Sequence, residues 1–178
     1  MKLEILSFGE ALRYVPLEKS GVIRIHNSIP PTPIPDLVES DNWVKINDYF
    51  FNDGWSRDWK EYSEVEDKDW DKLLAIEKKE YPFMTKENLI GFYESEGYPN
   101  RRGDLFKEDF AKKILGDYEK IENKIDNLVI HCWEGLKRSP AVGIAMNEIY
   151  GWGIKDLKEK FPKYRRYVYD IMIKTASK

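Results

Sequence analysis

One cysteine, Cys132, and two histidines, His26 and His131, are all the thiol and imidazole that 178 residues offer. A lone cysteine excludes an internal disulfide framework and leaves either a buried structural thiol or a reactive one. With no HxH pair and no CxxC pair, no metal site of recognisable spacing exists, and neither metal nor cofactor is expected. Long apolar runs are missing too: no stretch approaches the roughly eighteen apolar residues of a membrane-spanning helix, so no membrane partner is expected. Net charge is −3, and lysine and arginine form no block long enough to suggest a nucleic-acid footprint. The opening stretch MKLEILSFGEALRYV carries Glu4 and Glu10 and lacks a small-residue cleavage site. It reads as folded chain and not as a signal peptide, so a cytoplasmic location is expected. Composition says nothing of oligomeric state.

Hydrophobic residues make up 42% of the chain and charged residues 34%, an ordinary balance for one domain with a sizeable core. Strands are predicted at Leu3–Phe8, Val22–His26 and Trp43–Ile46, each β-branched or aromatic-rich and bounded by polar or turn residues. Between the second and third lie Pro30, Pro31, Pro33 and Pro35, a stiff extended loop. Residues 56–72 pack seven acids and four bases among Trp59, Tyr62 and Trp70. They mark a charged insertion near 55–100 within a single domain spanning 1–178. Its bland reading is a solvated helical segment, its sharper one a lid. Asp104, in the turn GYPNRRGD, is a candidate helix N-cap. Phe106, Phe110, Ile114, Tyr118, Ile121 and Ile125 then recur at helical spacing. LVIHC (128–132) is a buried-strand run. RSPAVGIAMNEIY reads as a helix with Pro140 in its first turn and Gly151 at its C′ position. Helices are predicted from about Ile154 to Phe161 and from about Pro162 onward. The whole reads as an α/β layer fold with a mainly parallel central sheet flanked by helices.

Chemistry concentrates at His131-Cys132-Trp133-Glu134-Gly135-Leu136-Lys137-Arg138-Ser139. The cysteine ends a strand and the arginine begins a helix. A tight loop between them turns the backbone N–H groups of Trp133, Glu134, Gly135, Leu136, Lys137 and Arg138 inward as an anion-binding nest. Gly135 supplies the backbone freedom. Arg138 adds a planar fork matched to two phosphate oxygens, and the helix N-terminus adds partial positive charge. An anion nest also favours thiolate over thiol, and the thiolate is the nucleophile. One loop would thus bind a phosphate and attack it. Ser139 is placed to donate to the sulfur and make it a better leaving group. His131 is expected to order the loop by hydrogen bonding. The five fixed positions of H-C-x-x-G-x-x-R-S arise by chance in a chain this long with a probability on the order of 10⁻⁵.

HCWEGLKRSP resembles the HCxxGxxRS signature of the protein tyrosine phosphatase superfamily, in particular its compact dual-specificity branch. GVIRIHNSIPP, then NWVKINDYFFND, then helix–LVIHC–loop–helix follow the order of its small members. The resemblance is strong at 128–150 and weak elsewhere. It implies a phosphocysteine intermediate and no metal, with Cys132 as nucleophile, Arg138 as phosphate clamp and Ser139 assisting breakdown of the intermediate. It also implies an aspartate general acid on a loop before the signature helix. Asp53 in FFND, Asp48 in IND and Asp104 in RRGD are the candidates, and Asp53 is preferred because it follows the third strand. The expected activity is hydrolysis of phosphate monoesters, on protein phosphotyrosine or phosphoserine/threonine. Alternatives are a phosphoinositide or RNA 5′-phosphatase, a catalytically silent phosphate-binding module, and a rhodanese-type sulfur transferase. The expected partner is a phosphorylated protein or a small phosphomonoester.

Overall fold

The structure is a computed structural model that describes residues 1–26, 34–51, 69–78, 82–95 and 105–178. Compactness divides the chain into two units, Met1–Asp53 with Phe106–Lys178, and Gly54–Leu105. The first is an α/β fold. Four parallel strands, β1 (Lys2–Ser7), β2 (Ser20–His26), β3 (Trp43–Phe50) and β4 (Asn127–Cys132), lie in the order β1-β4-β2-β3. Seven helices occur among the described residues. In the first unit these are α1 (Phe8–Ala11), α4 (Glu108–Glu119), α5 (Arg138–Ile149), α6 (Leu157–Lys160) and α7 (Arg166–Ala176). In the second they are α2 (Trp70–Glu77) and α3 (Lys86–Ser95). No helix among the described residues is long and apolar enough to cross a membrane.

β4 comes last in sequence yet sits between β1 and β2, pairing Leu6↔His131 on one side and Arg24↔His131 on the other. Every residue of β4 is buried, as an unbroken apolar strand in a parallel sheet must be. Alternation then sorts the side chains. Ile23, Ile25, Tyr49, Phe51, Leu128, Ile130 and Cys132 join a core with residues of α4, α5 and α7. Val22 and Val129 face the other way, with Ala11 and Leu37. α5 packs on β4 and β1, and α7 packs on α4 and α5. From Arg138 to Met146 the whole of α5 is buried. It is a core helix, and its weak amphipathicity follows from that.

Two of the boundaries that differ from the sequence reading do so for tertiary reasons. β3 does not stop at Ile46: it runs to Phe50, because Asp48 finds Arg24 and His26 as partners on β2 in place of the turn its composition suggests. The Asp104 cap does not start the following helix. α4 begins at Glu108 with Lys107 as N-cap and no side-chain cap bond. Phe106 is drawn instead into the core against Phe51, ring centroids 4.7 Å apart, and its carbonyl accepts from Tyr167 Oη at 2.9 Å. Burying one such ring stabilises by about 1.5–3 kcal/mol, more than an exposed cap contributes. LVIHC forms β4 and α5 ends with Gly151 at φ +62°, as expected, but α4 already ends at Glu119, and the two C-terminal helices start later than the sequence placed them, at Leu157 and Arg166.

In the second unit α2 and α3 pack on each other. Leu73 and Leu89 are buried, and Lys86 Nζ reaches Asp71 Oδ1 at 2.8 Å. Residues 52–68, which hold most of the charged run and Asp53, lie outside the described residues, as do 27–33 and Asp104.

Candidate active site

Cys132 closes β4 at the carboxyl edge of the sheet, where open parallel α/β sheets bind their ligands. It is a free, buried thiol. Residues 133–137 turn back, and α5 begins at once with Arg138. The N-cap of α5, Lys137, makes no side-chain capping bond, so the first-turn N–H groups are not satisfied by a cap. That combination of tight loop and uncapped helix start is a ready anion site.

The loop is held from three sides. Phe8 N–H donates to Trp133 O at 3.1 Å, and the two rings stack with centroids 5.1 Å apart. Gly135 has φ +71° and lies so close to β1 that a Cβ there would stand 2.6 Å from Ser7 N. Lys137 O accepts from Ala141 N and from Arg165 N, each at 3.1 Å. Ser7 caps α1 with a capping box, its hydroxyl accepting from Glu10 N while its own backbone N–H donates to Glu10 Oε2 at 2.8 Å. Sequence reading ended the first strand at Phe8 and missed this short helix, although S-x-x-E at 7–10 is its signature.

Arg138 is buried, and its Nη1 donates to His26 O at 3.1 Å and to Phe51 O at 3.0 Å. The guanidinium is thereby tied to the ends of both β2 and β3. Ser139, also buried, donates from Oγ to Cys132 Sγ at 3.1 Å. Trp133 and Leu136 are exposed at the rim. Glu134 and Lys137 approach one another at 3.6 Å, and both are about half exposed. Cys132, Gly135, Arg138 and Ser139 are therefore brought together with the remaining loop residues at one strand end.

Asp48 is not. Register pairs it with Arg24, and Arg24 with His131, so its side chain lies on the sheet face opposite Cys132. Asp48 Oδ1 accepts from His26 Nε2 at 2.7 Å and meets Arg24 Nη1 at 3.4 Å. The His26 bond, with help from the Arg24 charge, holds its carboxyl below the usual carboxylate range despite partial burial. A carboxyl fixed in its ionised form on the wrong face is a poor proton donor to a leaving group at Cys132. Asp53 follows Phe51 by two positions and, like Asp104, lies outside the described residues.

His131 also departs from expectation. It orders nothing by hydrogen bonding: neither ring nitrogen has a partner among the described residues. The ring is fully buried, 6.0 Å from Phe8 and 6.1 Å from His26 between centroids. Burial, ahead of the Arg24 and His26 charges, pushes the imidazole down to about 3, so it stays neutral. The Arg24–His26–Asp48 cluster was itself missed, although R-x-H on β2 opposite D-x-F on β3 carries the period-two alternation that places those side chains on one face.

The described residues contain no group of three His, Cys, Asp or Glu side chains able to hold a metal ion. In comparisons with known proteins, no family model matches the chain, and no curated protein or solved structure is significantly similar to it.

Proposed function

We propose that the protein is a cysteine-dependent phosphatase that hydrolyses phosphate monoesters of the protein phosphotyrosine or phosphoserine/threonine class. The observation that carries this reading is the Ser139 Oγ to Cys132 Sγ bond of 3.1 Å at the start of a loop whose far end is the buried, doubly anchored Arg138. A structural thiol needs neither a dedicated hydroxyl donor nor an arginine held at the next helix start.

The substrate dianion sits in the nest of loop N–H groups, with the Arg138 fork on two of its oxygens. The Cys132 thiolate attacks phosphorus in line. The S–P bond forms as the P–O bond to the leaving group breaks, and the departing oxygen takes a proton, assigned to Asp53. Water then attacks the phosphocysteine and gives a proton to the Asp53 carboxylate. The S–P bond breaks, inorganic phosphate leaves and the thiolate returns. In that second step charge develops on sulfur, and the Ser139 hydroxyl stabilises it. A free nucleophilic thiol needs a reducing compartment, so we assign the protein to the cytoplasm.

The test is Cys132→Ser assayed with an aryl phosphate and with orthovanadate. Turnover is expected to disappear while vanadate binding persists, since the nest and Arg138 remain. Substantial residual activity in Cys132→Ser would refute the assignment.

A further inference from the structure

Charge is distributed unevenly along this chain. Residues 155–166, KDLKEKFPKYRR, carry six bases against two acids, although the whole protein has net charge −3. The segment contains α6 and runs into α7, and it is fastened directly to the phosphate loop: Arg165 N–H donates to Lys137 O at 3.1 Å. Lys137 is the last loop residue before Arg138. Lys163 and Arg166 are therefore within two residue steps of that bond, each step about 3.8 Å of chain.

These two cations are poorly neutralised. Lys163 is exposed and has no carboxylate partner among the described residues. Arg166 is 84% exposed and, among the described residues, meets as carboxylate only Asp170, at 3.8 Å, on its own helix. Lys158, in contrast, is engaged by Glu148 at 2.7 Å and Tyr169 at 3.2 Å. The loop side of the pocket mouth has a different character. Trp133 is 56% exposed and Leu136 47%, and Glu134 offsets Lys137. The loop side of the rim is thus apolar and near neutral, whereas the segment fastened to the last loop residue is basic and exposed at Lys163 and Arg166.

Resting on the phosphatase reading above, we propose that Lys163 and Arg166 form a recognition flank for acidic side chains two or three residues away from the phosphorylated residue of a protein substrate. A polypeptide advances about 3.3–3.6 Å per residue when extended, so a carboxylate two or three residues from the phosphate lies about 7–11 Å away, a reach comparable with the one or two residue steps that separate Arg166 and Lys163 from the Arg165 bond. The apolar rim suits a peptide better than a nucleic acid, whose continuous phosphates would meet Glu134. Charge complementarity of this exposed kind selects substrates and speeds encounter more than it tightens binding.

The experiment compares kcat/KM of the full chain on phosphotyrosine peptides with glutamates or with lysines at positions two and three on either side. Binding of the same peptides to Cys132→Ser is followed by fluorescence anisotropy. Exposed charge pairs of this kind are individually weak, so a preference of roughly 2- to 30-fold for the acidic peptides is expected from two of them. It should fade toward unity near 1 M salt. The double variant Lys163→Ala/Arg166→Ala, and independently Lys163→Glu, should lose the preference while hydrolysis of an aryl phosphate is unchanged. Equal rates for acidic and basic peptides, or a preference that survives both variants, would overturn the proposal. So would a 5′-phosphorylated RNA oligonucleotide that outcompetes every peptide in a manner dependent on Lys163 and Arg166. If acidic peptides bind preferentially but are never hydrolysed, the phosphatase reading fails and the recognition flank stands.

Discussion

Replacing Gly135 with alanine should be among the most damaging single-methyl changes available to this protein. Two effects add. At φ +71° an alanine occupies the left-handed region, which costs a residue with a Cβ about 1–2 kcal/mol. The new Cβ would then lie 2.6 Å from Ser7 N and 2.8 Å from Leu6 C, about 1 Å inside ordinary contact distance. Both atoms are backbone in β1, which is paired with β4 through Leu6↔His131 and Ser7↔Cys132, so neither can swing aside. The loop must lift instead, and overpacking of this type costs about 1–3 kcal/mol more. The sum is about 2–5 kcal/mol. Gly151→Ala is the internal control: its φ is +62°, but nothing lies within 4 Å of the added carbon, so only the conformational cost of about 1–2 kcal/mol applies. Urea unfolding followed by circular dichroism measures both, read as a lower midpoint at unchanged slope. Lifting the loop should also abolish orthovanadate binding in Gly135→Ala and leave it intact in Gly151→Ala. If Gly135→Ala costs no more than Gly151→Ala, the close approach of loop and strand is wrong, and the nest built on it fails too.

Ser139→Ala should slow breakdown of the phosphocysteine and spare its formation. A bond to a charged partner is worth about 1.5–3 kcal/mol, so a burst of product followed by turnover about 10- to 100-fold slower is expected in stopped-flow assays with an aryl phosphate. A uniform loss without a burst would count against the assigned role. His131 makes stability pH-dependent in a defined direction. Its folded value near 3 lies below the ordinary 6.5, so the unfolded chain takes up a proton that the folded protein refuses. Stability is therefore full above pH 6.5 and declines as pH falls toward 3, by about 2 kcal/mol at pH 5. His131→Leu should remove that part of the slope in urea titrations at pH 7 and 5, and an unchanged slope would show that the imidazole is not held neutral. Asp53→Asn should slow hydrolysis of phosphotyrosine by about 10²–10⁴-fold and affect a substrate with an acidic leaving group far less. Asp48→Asn and Asp104→Asn should show no such contrast, and finding it in either would reassign the acid.

The order of elements around residue 132 was legible because it rests on local chemistry. A run such as LVIHC can only be buried, Gly135 permits a turn few residues tolerate, and Pro140 suits the first turn of a helix. Short-range constraints of this kind name Cys132, Arg138 and Ser139 without knowledge of distant residues, and the parallel α/β layering follows from the alternation of strand and helix. Strand order was not legible, because register depends on which apolar faces meet and not on any one segment. Only the insertion of β4 between β1 and β2 brings the carbonyls of His26 and Phe51 to Arg138, across 112 and 87 residues of chain. The same arrangement turns Asp48 away from Cys132 and commits it to His26 and Arg24. It also leaves His131 buried with no hydrogen-bond partner among the described residues, where its sequence neighbours alone suggested a bonded role. A side chain's type is local information, but its partners and its burial are set by tertiary packing, and these decided the chemistry of Asp48 and of His131.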